Sequence, residues 1–285
     1  MTEMTGKLCM VTGATNGIGK VTALELAKMG ASVIVVGRSA EKTETVVKAI
    51  QQVSGNPNVE ALIADLSAQA QVRELAAAFK QKHGHLDVLV NNAGAIFLRR
   101  EESADGIEMT WALNHLNYFL LTNLLLDALQ RALSARIVNV SSDAHEGGKM
   151  RFDDLEFKRG YSVMGAYSQS KLANVMFTYG LARRMNGTQV TANAMHPGLV
   201  GTGFAGNNGT LFKLGMALAR PFILSPEQGA RTAIYLASSP EVEGVTGKYF
   251  VKCKPRQSAA ASYNEAAQRR LWEISEQMTG LAVTA

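Results

Sequence analysis

Tyr167 and Lys171 stand four residues apart in an apolar, alanine-rich run, 165–184. The run reads as a helix, and residues four apart on a helix lie on one face, one turn apart. A phenol beside an ammonium ionises below its usual value of about 10, because the cation favours the phenolate. That suits a general acid working near neutral pH. Spacing alone leaves a plainer alternative open, a partly buried aromatic next to a solvated lysine. The residues that bear on the choice lie at the ends of the strands around this helix.

The first strand, 8–12, runs straight into Gly13-Ala14-Thr15-Asn16-Gly17-Ile18-Gly19 and a helix over about 20–29. Glycine lets the backbone turn tightly and approach phosphate, and the free N–H groups and dipole of a helix N-terminus favour an anion. Between strand and helix the spacing G-x-x-x-G-x-G points to a dinucleotide; an ordinary tight turn is the simpler reading. A second strand, 32–36, ends in Gly37-Arg38-Ser39. An acidic residue there would bond a ribose 2′-hydroxyl, whereas an arginine pairs with a 2′-phosphate or is merely a solvated loop residue. Exchanging Gly37-Arg38 for Asp-Ile is therefore expected to invert the cofactor preference. After a helix over 41–53, a third strand, 59–64, leads to Asp65-Leu66-Ser67. Asp65 either faces an adenine pocket or caps the helix expected over 68–82. His83-Gly84-His85 closes that helix as a turn rather than a metal site.

A fourth strand, 86–90, ends in Asn91-Asn92-Ala93-Gly94, which suits a crevice wall or a turn. A long helix is expected over 106–133 with Asn114 in its interior, where an asparagine amide competes with the backbone. The fifth strand, 136–141, ends at Ser141-Ser142, and the loop from there to Tyr167 is long enough to mark function. The sixth, 189–195, ends in His196-Pro197-Gly198, with His196 read as structural. Ser225-Pro226-Glu227-Gln228 is a capping-box start. A last strand, 248–251, precedes an amphipathic helix over 262–277. Strands that are apolar throughout, alternating with helices, call for an α/β fold: a doubly wound parallel sheet of about seven strands with helices on both faces, in one domain over 1–285. Ligands bind such sheets beyond the carboxyl ends of the strands, where Gly13, Arg38, Asp65, Asn91, Ser142 and Pro197 all fall.

Composition narrows the partners. Hydrophobic residues make up 47% of the 285, ample for a large core. The net charge of +5 is scattered without a basic block, so no nucleic-acid partner is expected. Cys9 and Cys253 form no metal or disulfide pattern and fit a reducing compartment. The first strand begins almost at once, leaving no room for a signal peptide. The run 116–129 is too short, and too broken by Asn117, Asn123 and Asp127, to span a bilayer. The expectation is a cytoplasmic protein.

Four motifs together resemble the short-chain dehydrogenase/reductase family over about residues 6–252. They are Thr12-Gly13-x-x-x-Gly17-Ile18-Gly19, Asn91-Asn92-Ala93-Gly94, Ser142 ahead of Tyr167-x-x-x-Lys171, and Pro197-Gly198. Asn114-His115-Leu116, Arg136-Ile137-Val138-Asn139-Val140-Ser141-Ser142, Ser170-Lys171-Leu172-Ala173-Asn174-Val175 and Arg270-Leu271-Trp272-Glu273 are similar to the retinol dehydrogenase-like branch. Members of that branch reduce apolar aldehydes and ketones, usually with NADPH. The resemblance implies a Rossmann-type fold and a role for each matched residue. Ser142, rather than Ser141, would hydrogen-bond the substrate carbonyl, and Tyr167 would donate the proton. Lys171 would lower the tyrosine pKa and hold the nicotinamide ribose; Asn114 would bind a water linking Lys171 to solvent. The NADP(H) site would take in Gly13, Thr15, Asn16, Gly17, Ile18, Gly19, Arg38 and Ser39, with Asp65 and Leu66 at the adenine. Asn91, Ala93, Gly94, Pro197, Gly198 and Val200 would line it further, and Thr202 would meet the carboxamide.

Two other functions are compatible with this fold. A non-catalytic NADP(H)-sensing or scaffold protein would have no need of the Tyr167 acid. A light-dependent protochlorophyllide-type reductase would carry additional cysteines and an inserted loop. The stretch 199–224, glycine-containing and then apolar through Leu211, Phe212, Leu214, Met216 and Leu218, is expected to form a lid over a substrate with a hydrophobic body and one carbonyl. A short core helix and contact with a membrane surface are the other readings. The helices over 106–133 and 165–184 are the expected homodimer interface, with Leu120, Leu121, Leu124 and Leu125 as its apolar patch.

Overall fold

The computed structural model describes residues 3–200 and 224–281. Seven parallel strands and one antiparallel strand form a single sheet in the order β3-β2-β1-β4-β5-β6-β7-β8. They are β1 (Leu8–Thr12), β2 (Ser32–Gly37), β3 (Val59–Ile63), β4 (Val88–Asn91), β5 (Ala135–Val140), β6 (Val190–His196), β7 (Tyr249–Val251) and β8 (Lys254–Arg256). The order reverses between β1 and β4, so the crevice of the sheet opens beyond these two strands. β8 was not expected. Its Lys254-Pro255-Arg256 is exposed, with no apolar alternation to mark it. Its turn, Lys252-Cys253, takes left-handed φ values of 51° and 60° without the glycine or asparagine that usually signals such a hairpin.

The apolar strands are explained by two layers. Leu8, Met10, Ile34, Val36 and Leu89 face α3 (Gln69–Lys82), α5 (Asn117–Leu124) and the end of α7 (Val163–Arg184). Their neighbours Cys9, Val11, Val33, Val35 and Val90 face α1 (Gly17–Lys28), α2 (Ala40–Ser54) and α8 (Pro226–Ser238). A period of two along the central strands thus feeds both layers and leaves them no polar face, whereas the edge strands β3 and β8 are partly or wholly exposed. The capping box of α8 forms as the sequence indicates, with Ser225 accepting from Gln228 N–H. A last helix, α9 (Glu265–Thr279), follows an Asn264 cap rather than starting at 262.

The helix expected over 106–133 is three pieces: α4 (Met109–Trp111), α5, and α6 (Leu126–Gln130), with a π-helical turn over Ala112–Leu116 between the first two. Gly106 takes a left-handed φ of 73° in the preceding turn. The buried Glu108 carboxylate then caps the helix, accepting from Thr110 N–H and Trp111 N–H at 2.8 Å each. Asp65 does not cap α3: its Oδ1 accepts from Ser67 N–H and Oγ, while Gln69 N–H donates to Asp105, a residue distant in sequence.

Candidate active site

The glycine-rich turn after β1 is closed around its neighbours. Gly13 has a φ of 63°, and a Cβ there would lie 2.8 Å from Ala93 Cα. A Cβ on Gly19 would lie 2.4 Å from Asn92 Nδ2 and 2.7 Å from Gly13 O. Both positions therefore require glycine. Asn16 precedes α1 in an extended conformation but makes no side-chain cap bond, and the first turn of α1 carries no acidic residue. Thr15 and Ile18 are half-buried beside Gly17, whose φ is 52°. The turn is fixed by two side chains that stand in the sequence motifs without a role of their own. Thr12 Oγ1 accepts from Asn92 N–H and Ala93 N–H at 2.8 and 3.1 Å, and Asn92 Nδ2 donates to Thr12 O at 2.7 Å.

Arg38 is exposed at the end of β2, and Ser39 caps α2 by accepting from Lys42 N–H. A side chain at Gly37 would displace its neighbours: a Cβ would lie 2.4 Å from Thr43 Oγ1 and 2.5 Å from Thr15 Cγ2. The Asp-Ile exchange therefore mixes a steric change at Gly37 with the loss of the guanidinium, and Arg38 alone is the cleaner test. Asp65 is half-exposed and Leu66 is buried at the end of β3. Asn91 turns its side chain away from the crevice. It is fully buried and donates to Thr122 Oγ1 and Asn139 Oδ1 at 2.9 Å each, tying β4 to β5 and α5.

The catalytic candidates meet at the carboxyl ends of β4 and β5. Tyr167 and Lys171 share one face of α7, and both are buried. The half-buried Ser142 side chain accepts from Ala144 N–H at 3.2 Å and lies near enough to the Tyr167 phenol to favour its ionised form. Ser141, by contrast, donates its hydroxyl to Lys171 O at 2.8 Å and is committed to holding α7. Lys171 Nζ donates to Val140 O at 3.1 Å and lies 5.7 and 5.8 Å from the ring centroids of Tyr167 and Tyr118. Burial pushes the Lys171 ammonium down to about 7. It pushes the Tyr167 phenol up to about 12, outweighing the lowering by Ser142. The simple expectation of a phenol made more acidic by its lysine is thus reversed by desolvation in the protein alone.

Asn114 sits in the π-helical turn, a local widening frequent at functional sites. Its Oδ1 accepts from Ala95 N–H at 2.9 Å, and its Nδ2 donates to Ala95 O and Ser170 Oγ at 3.0 and 3.2 Å. A Cβ on Gly94 would lie 3.0 Å from Asn114 Oδ1 and 3.6 Å from Lys171 Nζ, so glycine lets the two approach. Behind it, Asn174 Nδ2 donates to Asn114 O at 2.8 Å, and buried His115 bridges Asn174 and Ser275. Asn174 and His115 were not singled out for a role by their types alone, since this network joins residues far apart in the chain.

This arrangement can be compared with known proteins. The family model described as short chain dehydrogenase matches residues 7–210. The chain belongs to the short-chain dehydrogenase family, in its retinol dehydrogenase-like branch. Human "Retinol dehydrogenase 14" is 40% identical over 98% of this chain and 88% of its own length. A putative uncharacterized protein from Mycobacterium paratuberculosis has a similar structure, with a TM-score of 0.79 and 32% identity over 98% of this chain and 96% of that one. The Pseudomonas aeruginosa RhlG/NADP active-site complex gives a TM-score of 0.70 and 28% identity over 87% and 95%.

In this short-chain dehydrogenase the far wall of the crevice is the end of β6. Pro197 and Gly198 are half-buried, and Gly198 has a φ of 88°. A Cβ there would lie 2.4 Å from Leu224 Cδ1. Val200 and Leu224 form a parallel bridge, and Leu224 N–H donates to Leu199 O at 2.7 Å. Thr202 and the body of the stretch read as a lid, 201–223, lie outside the described residues. Among the described residues no helix is long and apolar enough to cross a membrane.

Proposed function

We propose that the protein is an NADPH-dependent, cytoplasmic reductase of apolar aldehydes and ketones, with Tyr167 as the general acid. The observation that carries this reading is the meeting of Ser142 and the Tyr167 phenol at the crevice, with the buried Lys171 one turn along α7. Ser142 and Tyr167 can both donate to one carbonyl oxygen, Ser142 to stabilise developing negative charge and Tyr167 to supply the proton. Lys171, buried beneath them, would orient the ribose of the cofactor and return a proton to the phenolate left when Tyr167 has donated its own. The glycine cradle at Gly13, Gly19 and Gly94 and the uncapped N-terminus of α1 fit a dinucleotide diphosphate. When bound, the reduced nicotinamide supplies the hydride for the carbonyl carbon.

For the cofactor, Arg38 is the argument: an exposed guanidinium closes β2, where a carboxylate would favour a free 2′-hydroxyl. A set of aldehydes and ketones offered with NADPH or NADH, following cofactor absorbance, tests the reading. Turnover with an apolar carbonyl and NADPH is expected, with little on sugars or charged keto acids. Arg38→Ala should raise KM for NADPH about tenfold or more and leave NADH unchanged. A wild-type preference for NADH in kcat/KM would reject the assignment of Arg38.

A further inference from the structure

The peptide that follows the Ser142 side chain is held by side chains outside the Asn114, Ser142, Tyr167, Lys171 set. His145 is fully buried in the turn after Ser142. Its Nδ1 lies 2.7 Å from Ser142 O, and its Nε2 lies 3.0 Å from Ala259 N. A backbone N–H can only donate, so Nε2 is the acceptor, and the proton sits on Nδ1, donated to the Ser142 carbonyl. His196 grips the other end of the same peptide unit. Asp143 N–H donates to His196 Nδ1 at 3.1 Å, which leaves His196 Nε2–H to donate to Asp143 Oδ2 at 3.0 Å. The remaining Asp143 oxygen accepts from Tyr249 OH at 2.8 Å, and the Tyr249 ring lies 4.7 Å from that of His145. The ends of β5 and β6, the start of β7 and the segment at Ala259 thus converge on the Ser142–Asp143 peptide and the Asp143 carboxylate. That one peptide unit, gripped at both its carbonyl and its N–H, fixes the backbone that carries Ser142 Oγ, and His196 is also the residue that leads into Pro197-Gly198.

We propose that His145 and His196 are positioning residues for Ser142, clamping its backbone so that its hydroxyl stays on the Tyr167 phenol and the substrate oxygen. The proposal rests on the reductase reading above. Oxyanion donors act only when they are already in place, and displacement by about 1 Å can cost on the order of a hundredfold in rate. Asparagine at 196 can offer its Oδ1 near the place of Nδ1, whereas alanine leaves Asp143 N–H without that acceptor.

The test compares His196→Ala, His196→Asn and His145→Phe, which keeps a ring against Tyr249 but removes both hydrogen bonds. It measures kcat and KM for one carbonyl substrate, Kd for NADPH by fluorescence, and Tm. His196→Ala is expected to lower kcat about tenfold or more, with Kd for NADPH within about twofold, and His196→Asn to recover most of kcat. In a Ser142→Ala background, His196→Ala should change the residual kcat by less than about twofold, because it acts through the serine. Unchanged kcat in folded His196→Ala, loss of NADPH affinity in step with kcat, or additive losses with Ser142→Ala would each overturn the positioning role. If His145→Phe does not fold, the His196 pair still decides. A wild-type protein that reduces no carbonyl with either cofactor would instead overturn the parent reading, and the positioning role with it.

Discussion

Burial acts on the two ionisable members of the site in opposite senses, and each has a measurable consequence. The Tyr167 phenol, pushed up to about 12, keeps its proton at neutral pH and stands ready as an acid. Tyr167→Phe preserves the packing but removes that proton. It should lower kcat for carbonyl reduction by about a hundredfold or more while leaving the Kd for NADPH unchanged, checked by steady-state kinetics and cofactor titration. Lys171 is held down to about 7 from 10.5. Between those values the unfolded chain binds the extra proton, so this group's contribution to stability rises with pH across that window. Below pH about 7 its full cost is present. Lys171→Met removes the cost. The variant should be inactive yet melt a few degrees higher near pH 7, with the gain shrinking towards pH 10, as thermal unfolding at several pH values would reveal. A lower Tm at pH 7 would mean that the bond to Val140 O outweighs desolvation.

At the scale of elements, glycine sets how closely the turn after β1, the end of β4 and α1 can approach. Gly19→Ala places a methyl against Gly13 O and Asn92 Nδ2, one of them backbone that cannot swing aside. The expected loss is about 1–3 kcal/mol of stability in denaturant unfolding, together with most of the affinity for NADPH. Stability and Kd equal to wild type would show that the turn is not packed in this way. The turn itself was legible in the sequence because its signal is local: apolar strand, three glycines, helix. So were the register of Tyr167 with Lys171 and the Ser225 capping box. The π-helical turn around Asn114 was not, because it depends on Asn174 and Ala95 meeting residues remote in the chain. The Asp105 cap on α3 and strand β8 escaped for the same reason: partners far apart in sequence, or a turn whose residues carry no usual signal.

Across the whole molecule, most of the apolar side chains expected to pair with a second copy are buried within the chain itself. Residues 166–182 of α7 are all buried. Leu120, Leu121 and Leu125 are fully buried as well, and Leu124 only packs at their margin. α9 packs against α7 and against Phe119 of α5. The Trp272 ring lies 4.9 Å from that of Phe119 and 5.7 Å from that of Phe177, with the Arg184 guanidinium 3.7 Å above it. Ser275 adds a buried hydrogen bond to His115 at 3.0 Å, so the same helix also supports the network behind Asn114. Among the described residues, side chains buried within one chain add no apolar area for a second copy to bury. Light scattering at micromolar concentration is therefore expected to give the mass of one chain. Trp272→Ala should lose about 3–5 kcal/mol of stability, since it opens a cavity between α5, α7 and α9. It should also lower kcat, through the loosened His115–Asn174–Asn114 chain. A dimer in the wild-type protein that Leu124→Asp dissociates would show that this face associates despite its cover.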